Sequence, residues 1–405
     1  MEFLATVQAQ PIDAVWTVPL IILAALLLSW AAETAQYRIS QGLILAVLAL
    51  IQTLPEYSVE AVLSWKAGRD PEMVRLMTAN FTGALRLLIG LGWPLIFITA
   101  TLANRLRAGR WLQAIRLETY HAAEVGALVP PCFYLLFIVI KGTLAWYDVI
   151  VPVALYLGYL YVMSLMPPEE ESEGDMEPIP RMILGLPRLA TAMVIIALFV
   201  TGALILFFYA EPFLESMIAL AAVIGVPAYF MVQWVAPILS EFPEKLSAFY
   251  WARKVRTAPM AIMNMTSSAI NEATLLVALM PVVFSLSRGE LSIISLDAHQ
   301  RSEILLTLTA GLMGVMMLAD RRFVWWEALC LFIFWLAGFL GPITIGTQHT
   351  LWSEWLHRGI SGAQILWIVT ELILMLIGTR RLDASGLIAH LRAGRNATRD
   401  AVQSD

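Results

Sequence analysis

From Leu189 to Ala210 the chain runs without a single charged residue. A run of that length crosses the roughly 30 Å hydrocarbon core of a bilayer as one helix, since about 20 residues suffice. In lipid each backbone amide must be satisfied within the segment or within a closed barrel. The run is continuous rather than alternating in polarity, which excludes a strand of a transmembrane barrel. Comparable runs recur at about 15–36, 42–65, 71–102, 118–140, 145–166, 188–210, 227–251, 258–286, 302–319, 323–343 and 362–379. With 59% hydrophobic and 14% charged residues over 405 positions, the composition is not that of a soluble protein. The sequence predicts an all-α polytopic membrane protein with about eleven transmembrane helices.

Carboxylates inside such runs are informative, because one near the membrane centre costs roughly 2.5–3.5 kcal/mol on insertion scales. Glu56 and Glu244 each follow a proline, in Gln52-Thr53-Leu54-Pro55-Glu56 and Ser240-Glu241-Phe242-Pro243-Glu244. The proline breaks the helical ladder at that level and frees carbonyl groups. Oxygen ligands beside a broken helix are what a carrier uses to hold a cation in mid-membrane. A shift of 188 positions also lays Lys66 on Lys254, Pro71 on Pro259, Met77 on Met265 and Thr78 on Thr266, without a gap. An internal duplication explains that register better than two independent kinks do.

These residues resemble the cation/calcium exchanger superfamily, whose sodium/calcium exchangers carry Gly-Thr-Ser-Leu-Pro-Glu and Gly-Ser-Asn-Ile-Phe-Asn in each of two inverted halves. Gln52 to Glu56 is similar to the end of the first motif, with Gln52 at its threonine and Thr53 at its serine. Thr78-Ala79-Asn80-Phe81-Thr82-Gly83 is similar to the second and keeps its first asparagine as Asn80. In the other half Ser240 keeps a hydroxyl, while Glu241 stands where serine is usual. Thr266-Ser267-Ser268-Ala269-Ile270-Asn271 keeps Ser267 and Asn271 and has Ser268 in place of the first asparagine. The resemblance covers about residues 15–340 and implies two inverted five-helix repeats, here 1–166 and 188–343. An acidic linker (167–187) joins them, and 344–405 adds one further helix and a basic tail.

The resemblance implies that Glu56 and Glu244 together bind Ca2+ or Na+. Calcium takes six to eight oxygens, and Asn80, Ser267, Ser268, Ser240, Gln52 and Thr53 are the neutral candidates. The competing reading of these six is hydrogen bonding between helices. Unoccupied, two charges about 4 Å apart repel by roughly 4 kcal/mol at an effective dielectric near 20, so the site takes up protons or monovalent cations when the divalent ion leaves. Glu241, one turn before Glu244, either holds a proton that couples transport or attracts cations at the mouth. Glu60 and Glu272 lack repeat partners and are read as structural, Glu272 with a basic residue as its mate.

Loop charge sets the expected orientation. Arg105, Arg107, Arg110 and Arg116, then Arg253, Lys254 and Arg256, then Arg321 and Arg322, and the arginines of the tail all fall on one side if the N-terminus is outside. Lys66 and Arg69 are the exceptions. The expected place is the inner membrane of a bacterial-type cell, with a cytoplasmic C-terminus. The N-terminal residues lack the basic start of a signal peptide, so the first run reads as a retained span. Residues 167–180 carry six acids and no apolar period, which reads as a solvated hinge. Cys132 and Cys330 sit in apolar runs as small hydrophobes, and His121 with Glu124 falls short of a zinc motif.

The expected function is secondary antiport, Ca2+ exchanged for Na+ by alternating access. A proton-coupled exchanger is the alternative, and a membrane-embedded enzyme using Glu56 and Glu244 as an acid–base pair is the remoter one. Neither a cofactor, nor nucleic acid, nor an obligate protein partner is called for. The partners are inorganic cations and the bilayer.

Overall fold

The computed structural model describes residues 10–36, 50, 51, 53–165, 177–345 and 350–378. Gln52, most of the acidic linker, the start of the second expected span and the arginine-rich tail lie outside them. The described residues are helical nearly throughout, and eight of their helices are long and apolar enough to cross a membrane.

Along the chain the helices, short ones included, are α1 (Ala14–Gln36), α2 (Leu54–Ala67), α3 (Met73–Ala108), α4 (His121–Lys141), α5 (Trp146–Ser164), the short α6 (Pro178–Leu184) and α7 (Arg188–Ile224). There follow α8 (Ala228–Ser240), α9 (Phe242–Ala252), α10 (Ala258–Arg288), α11 (Ala298–Leu318), α12 (Trp325–Ile345) and α13 (Thr350–Leu376).

Helix breaks fall at the prolines. Thr53 caps α2, whose second residue is Pro55. Glu241 ends α8 and begins α9, where Pro243 again comes second. Proline suits this place because the first turn of a helix has no use for its missing N–H. The expected span 227–251 is therefore two helices meeting at Glu241. The long α3 widens into a π turn over Leu88–Gly92, and α10 does the same over Glu272–Leu276.

The two boundaries furthest from the sequence reading belong to α7 and α13. The run at 188–210 continues as α7 to Ile224, and the last span begins at Thr350 rather than 362. α7 continues past Glu211 and Pro212 because Glu211 and Glu215, one turn apart, both meet Lys66 of α2, the first at 2.9 Å. That contact also accounts for Lys66, the charge that stood against the orientation rule.

α1 and α7 pack side by side at the flank, where Gly202 brings α7 against Leu28 and the backbone of Ala24. α2, α3, α8, α9 and α10 form the centre, closed by α4, α5 and α11. The approach of α3 to α8 is tightest at Gly83, where a Cβ would lie 1.8 Å from the carbonyl oxygen of Gln233. Two antiparallel strand pairs join distant loops. β1 (Ala114–Arg116) pairs with β4 (Arg322–Val324), and β2 (Thr143–Ala145) with β3 (Ile293–Ser295).

Candidate functional site

The Pro-Glu pairs place Glu56 and Glu244 in the first turns of α2 and α9. There the unpaired N–H groups and the helix dipole favour negative charge. Both side chains are fully enclosed, at 1% and 0% exposure.

Three helices converge on Glu56. Asn80 of α3 donates its amide to one carboxylate oxygen, and Ser240 at the end of α8 donates its hydroxyl to the other. The same Asn80 nitrogen lies 3.0 Å from Glu60 Oε2, so one amide bridges two carboxyls a turn apart on α2. Gly83, one turn on from Asn80, lets α3 come close enough to α8 for Asn80 and Ser240 to grip one side chain.

Glu244 is held differently. The Ser268 hydroxyl of α10 is its polar neighbour, at a geometry that closes a hydrogen bond on neither of its oxygens. Glu272 of α10, fully buried, is within electrostatic reach of Glu56, Glu241 and Glu244, and both of its oxygens are also unpartnered. The basic residue within electrostatic reach of Glu272 is Lys245, which makes no hydrogen bond to it. Glu60 is equally enclosed and belongs to the same group.

Glu241 pairs with Lys245, whose Nζ donates to Glu241 Oε2 over 2.5 Å. The spacing of four residues on a helix would have found this ion pair in the sequence. Lys245 was not singled out there.

Thr53 and Ser267 are engaged elsewhere. Thr53 Oγ1 donates to the carbonyl of Leu50 at 3.1 Å and accepts from Asn271 Nδ2 at 2.6 Å. Tyr57 OH donates to Asn271 Oδ1 at 2.7 Å, completing a bracket between α2 and α10. Ser267 donates to Glu124 of α4 and lies 2.9 Å from the Tyr159 hydroxyl of α5, which itself reaches Glu124 at 3.1 Å. Sequence spacing carries no sign of that second network, since its three members come from three helices.

The buried oxygens without a hydrogen bond include Glu60 Oε1, Asn80 Oδ1, Glu241 Oε1, Ser268 Oγ and both oxygens of Glu244 and of Glu272. An unsatisfied buried polar atom costs about 1–3 kcal/mol, so such a set requires something to satisfy it. Every member is a hard oxygen, which suits calcium-like cations better than softer metals.

The sodium/calcium exchanger protein model matches this chain in two blocks, residues 14–165 and 194–341. The chain belongs to that family. The exchanger is thus an integral membrane protein of a transporter family, not an enzyme. No curated protein gives a significant match. Among solved structures, the H+/Ca2+ exchanger CAX superposes on the exchanger with a TM-score of 0.81 at 28% identity, covering 98% of this chain and 93% of its own. YfkE matches with a TM-score of 0.57 at 17% identity, covering 82% and 92%. The sodium-calcium exchanger NCX_Mj gives 0.54 at 13%, covering 82% and 98%. The last two share the fold with this exchanger.

Proposed function

We propose that the chain is a calcium/proton exchanger, with Glu56 and Glu244 as the carboxylates that calcium and protons take in turn. The observation that carries this reading is the number of enclosed carboxyl groups. Glu56, Glu60, Glu241, Glu244 and Glu272 are all at 0–1% exposure, and Lys245 supplies the cation paired among them. Five negative charges this close do not coexist in a low dielectric. When the divalent ion leaves, protons are the counter-ions small enough to neutralise separate carboxyls without a cage for each. The likeness to the H+/Ca2+ exchanger CAX over nearly the whole chain supports the same choice.

Sodium coupling is the second reading. It draws on the sodium/calcium exchanger motifs, but the neutral oxygens that would build extra sodium sites are diverted. Ser267 faces Glu124 and Tyr159, and Thr53 is bracketed by Asn271.

In this reading the halves 1–166 and 188–343 are inverted repeats that rock about the site, with 167–187 as hinge and 344–405 as an addition. Two separate matched blocks support the duplication. The N-terminus faces outward, as the arginine-rich loops require. The ions are substrates, and no cofactor takes part.

The test is calcium uptake into liposomes holding the purified chain. Uptake driven by an outward proton gradient, collapsed by a protonophore and absent in Glu56→Gln, is the expected result. Uptake that follows a sodium gradient and ignores the proton gradient replaces the conclusion with the sodium-coupled one.

A further inference from the structure

A second buried polar cluster lies where α11 and α13 meet α3 and α8, nearly two turns along α3 from Asn80. We propose that His299, Glu303 and His357 form a binding site for a transition-metal cation of the Zn2+ class, separate from the calcium-transporting carboxylates.

His299 and Glu303 are four residues apart on α11 and so share one face, and His357 reaches them from α13. One ligand atom from each of the three lies within 4.8 Å of the others. Ligands on a tetrahedral zinc with bonds near 2.0–2.1 Å stand roughly 3.4 Å apart, so small side-chain rotations close the set.

The two oxygens of Glu303 are treated differently. Oε2 accepts from Arg86 of α3 and from Gln233 Nε2 of α8, the latter at 2.9 Å. Arg86 is itself fixed, its Nε donating to the carbonyl of Thr82 at 3.0 Å and its guanidinium lying 5.0 Å over the ring of Trp234. Oε1 is left facing the imidazoles, with His357 Nδ1 at 2.9 Å and His299 Nε2 at 3.9 Å. His357 Nδ1 thus stands at ion-pairing distance from Oε1, while His357 Nε2 and His299 Nδ1 have no hydrogen-bond partner.

Arg86 accounts for Oε2 and His357 Nδ1 lies against Oε1, but His357 Nε2 and His299 Nδ1 are left without a partner. Glu303 and His357 are 0% and 1% exposed, and buried polar atoms without partners are rare. A cation on Oε1 and the two imidazoles satisfies them. Donors outside the metal shell that orient a ligating carboxylate are the usual company of such a site, and Arg86 with Gln233 fill that role. Two imidazoles and one carboxylate suit zinc-like ions, whereas calcium prefers oxygen alone. His299, at 22% exposure in the first turn of α11, gives the entry route and leaves room for a water as fourth ligand.

The experiment uses the full chain carrying Glu56→Gln and Glu244→Gln, so that the transport carboxylates add no binding. After chelation it is titrated with Co2+, whose visible d–d bands report a site of low coordination number, and then with Zn2+. The expected result is intense bands saturating at a single equivalent, displaced by Zn2+, with affinity falling at least tenfold in His299→Gln and in His357→Gln. Both variants keep the Arg86–Glu303 pair, and unchanged elution on size exclusion checks the fold. An absence of bands in the parent, or bands unaffected by either substitution, overturns the proposal. Should a variant fail to fold, the unsubstituted histidines decide the matter. Zn2+ protects His299 and His357 from diethyl pyrocarbonate if they ligate it, and equal labelling with and without Zn2+ overturns the site.

Discussion

Asn80 has one nitrogen serving two carboxylates, Glu56 and Glu60, and an oxygen left without a partner. Asn80→Ala removes a hydrogen bond to a charged group, worth roughly 1.5 kcal/mol or more. The half-saturating calcium concentration for transport should rise about tenfold, and a calcium titration of uptake reads this directly. Lys245 compensates Glu241 within the same enclosure. Removing one member of a buried pair costs about 3–5 kcal/mol, and the 15% exposure of Lys245 reduces that figure. Lys245→Met should therefore lower the unfolding temperature in detergent at alkaline pH. Acidification should restore part of the loss, since protonation removes the unpaired charge that burial penalises. A variant equally destabilised at every pH contradicts this account. Residues such as Glu56 and Glu244 were legible in the sequence because a carboxylate in an apolar run is conspicuous wherever it stands. Glu60 and Glu272 were visible but read apart from Glu56 and Glu244, because lacking a repeat partner says nothing of what lies across the helix interface.

The helices were legible in order from their apolar runs, while their ends were set by contacts no run displays. α7 reaches Ile224 because Lys66, from a helix over a hundred residues earlier, accepts Glu211 and Glu215 as partners. The break between α8 and α9 was legible because proline at the second helical position is a local signal. The crossing of α3 and α8 was not, since Gly83 in a sequence reads like any other glycine. Gly83→Ala puts a methyl into the carbonyl of Gln233, a backbone atom that cannot rotate away. Overpacking of this kind costs about 1–3 kcal/mol or more. We expect a lower unfolding temperature together with loss of calcium uptake, because Asn80 and Ser240 separate when the helices do. Gly126→Ala is the control. Nothing lies within 4 Å of its added Cβ, and alanine is the better helix former by about 1 kcal/mol, so stability and uptake should be kept.

At the scale of the whole molecule, the register of 188 residues between the Pro-Glu pairs reads as a duplication, and the structure brings Glu56 and Glu244 to one enclosure. How the halves are stitched at their rims was not legible, since three-residue strands carry no periodicity. Ala114 stands opposite Val324, and Arg116 opposite Arg322. If the halves rock against each other, this seam is where their motion is felt. Cysteines at Ala114 and Val324, in a chain with Cys132 and Cys330 replaced by serine, should stop calcium uptake on oxidation and release it on reduction. Uptake indifferent to the crosslink would place the moving boundary elsewhere. The seams also bear on how the protein is made. β1 leaves the ribosome more than two hundred residues ahead of β4, and β2 about one hundred and fifty ahead of β3. Pairings this distant in sequence form late. The first half must therefore wait in the bilayer with its strands unpaired and Glu56 lacking Ser240, guarded from premature association until the second half has been inserted.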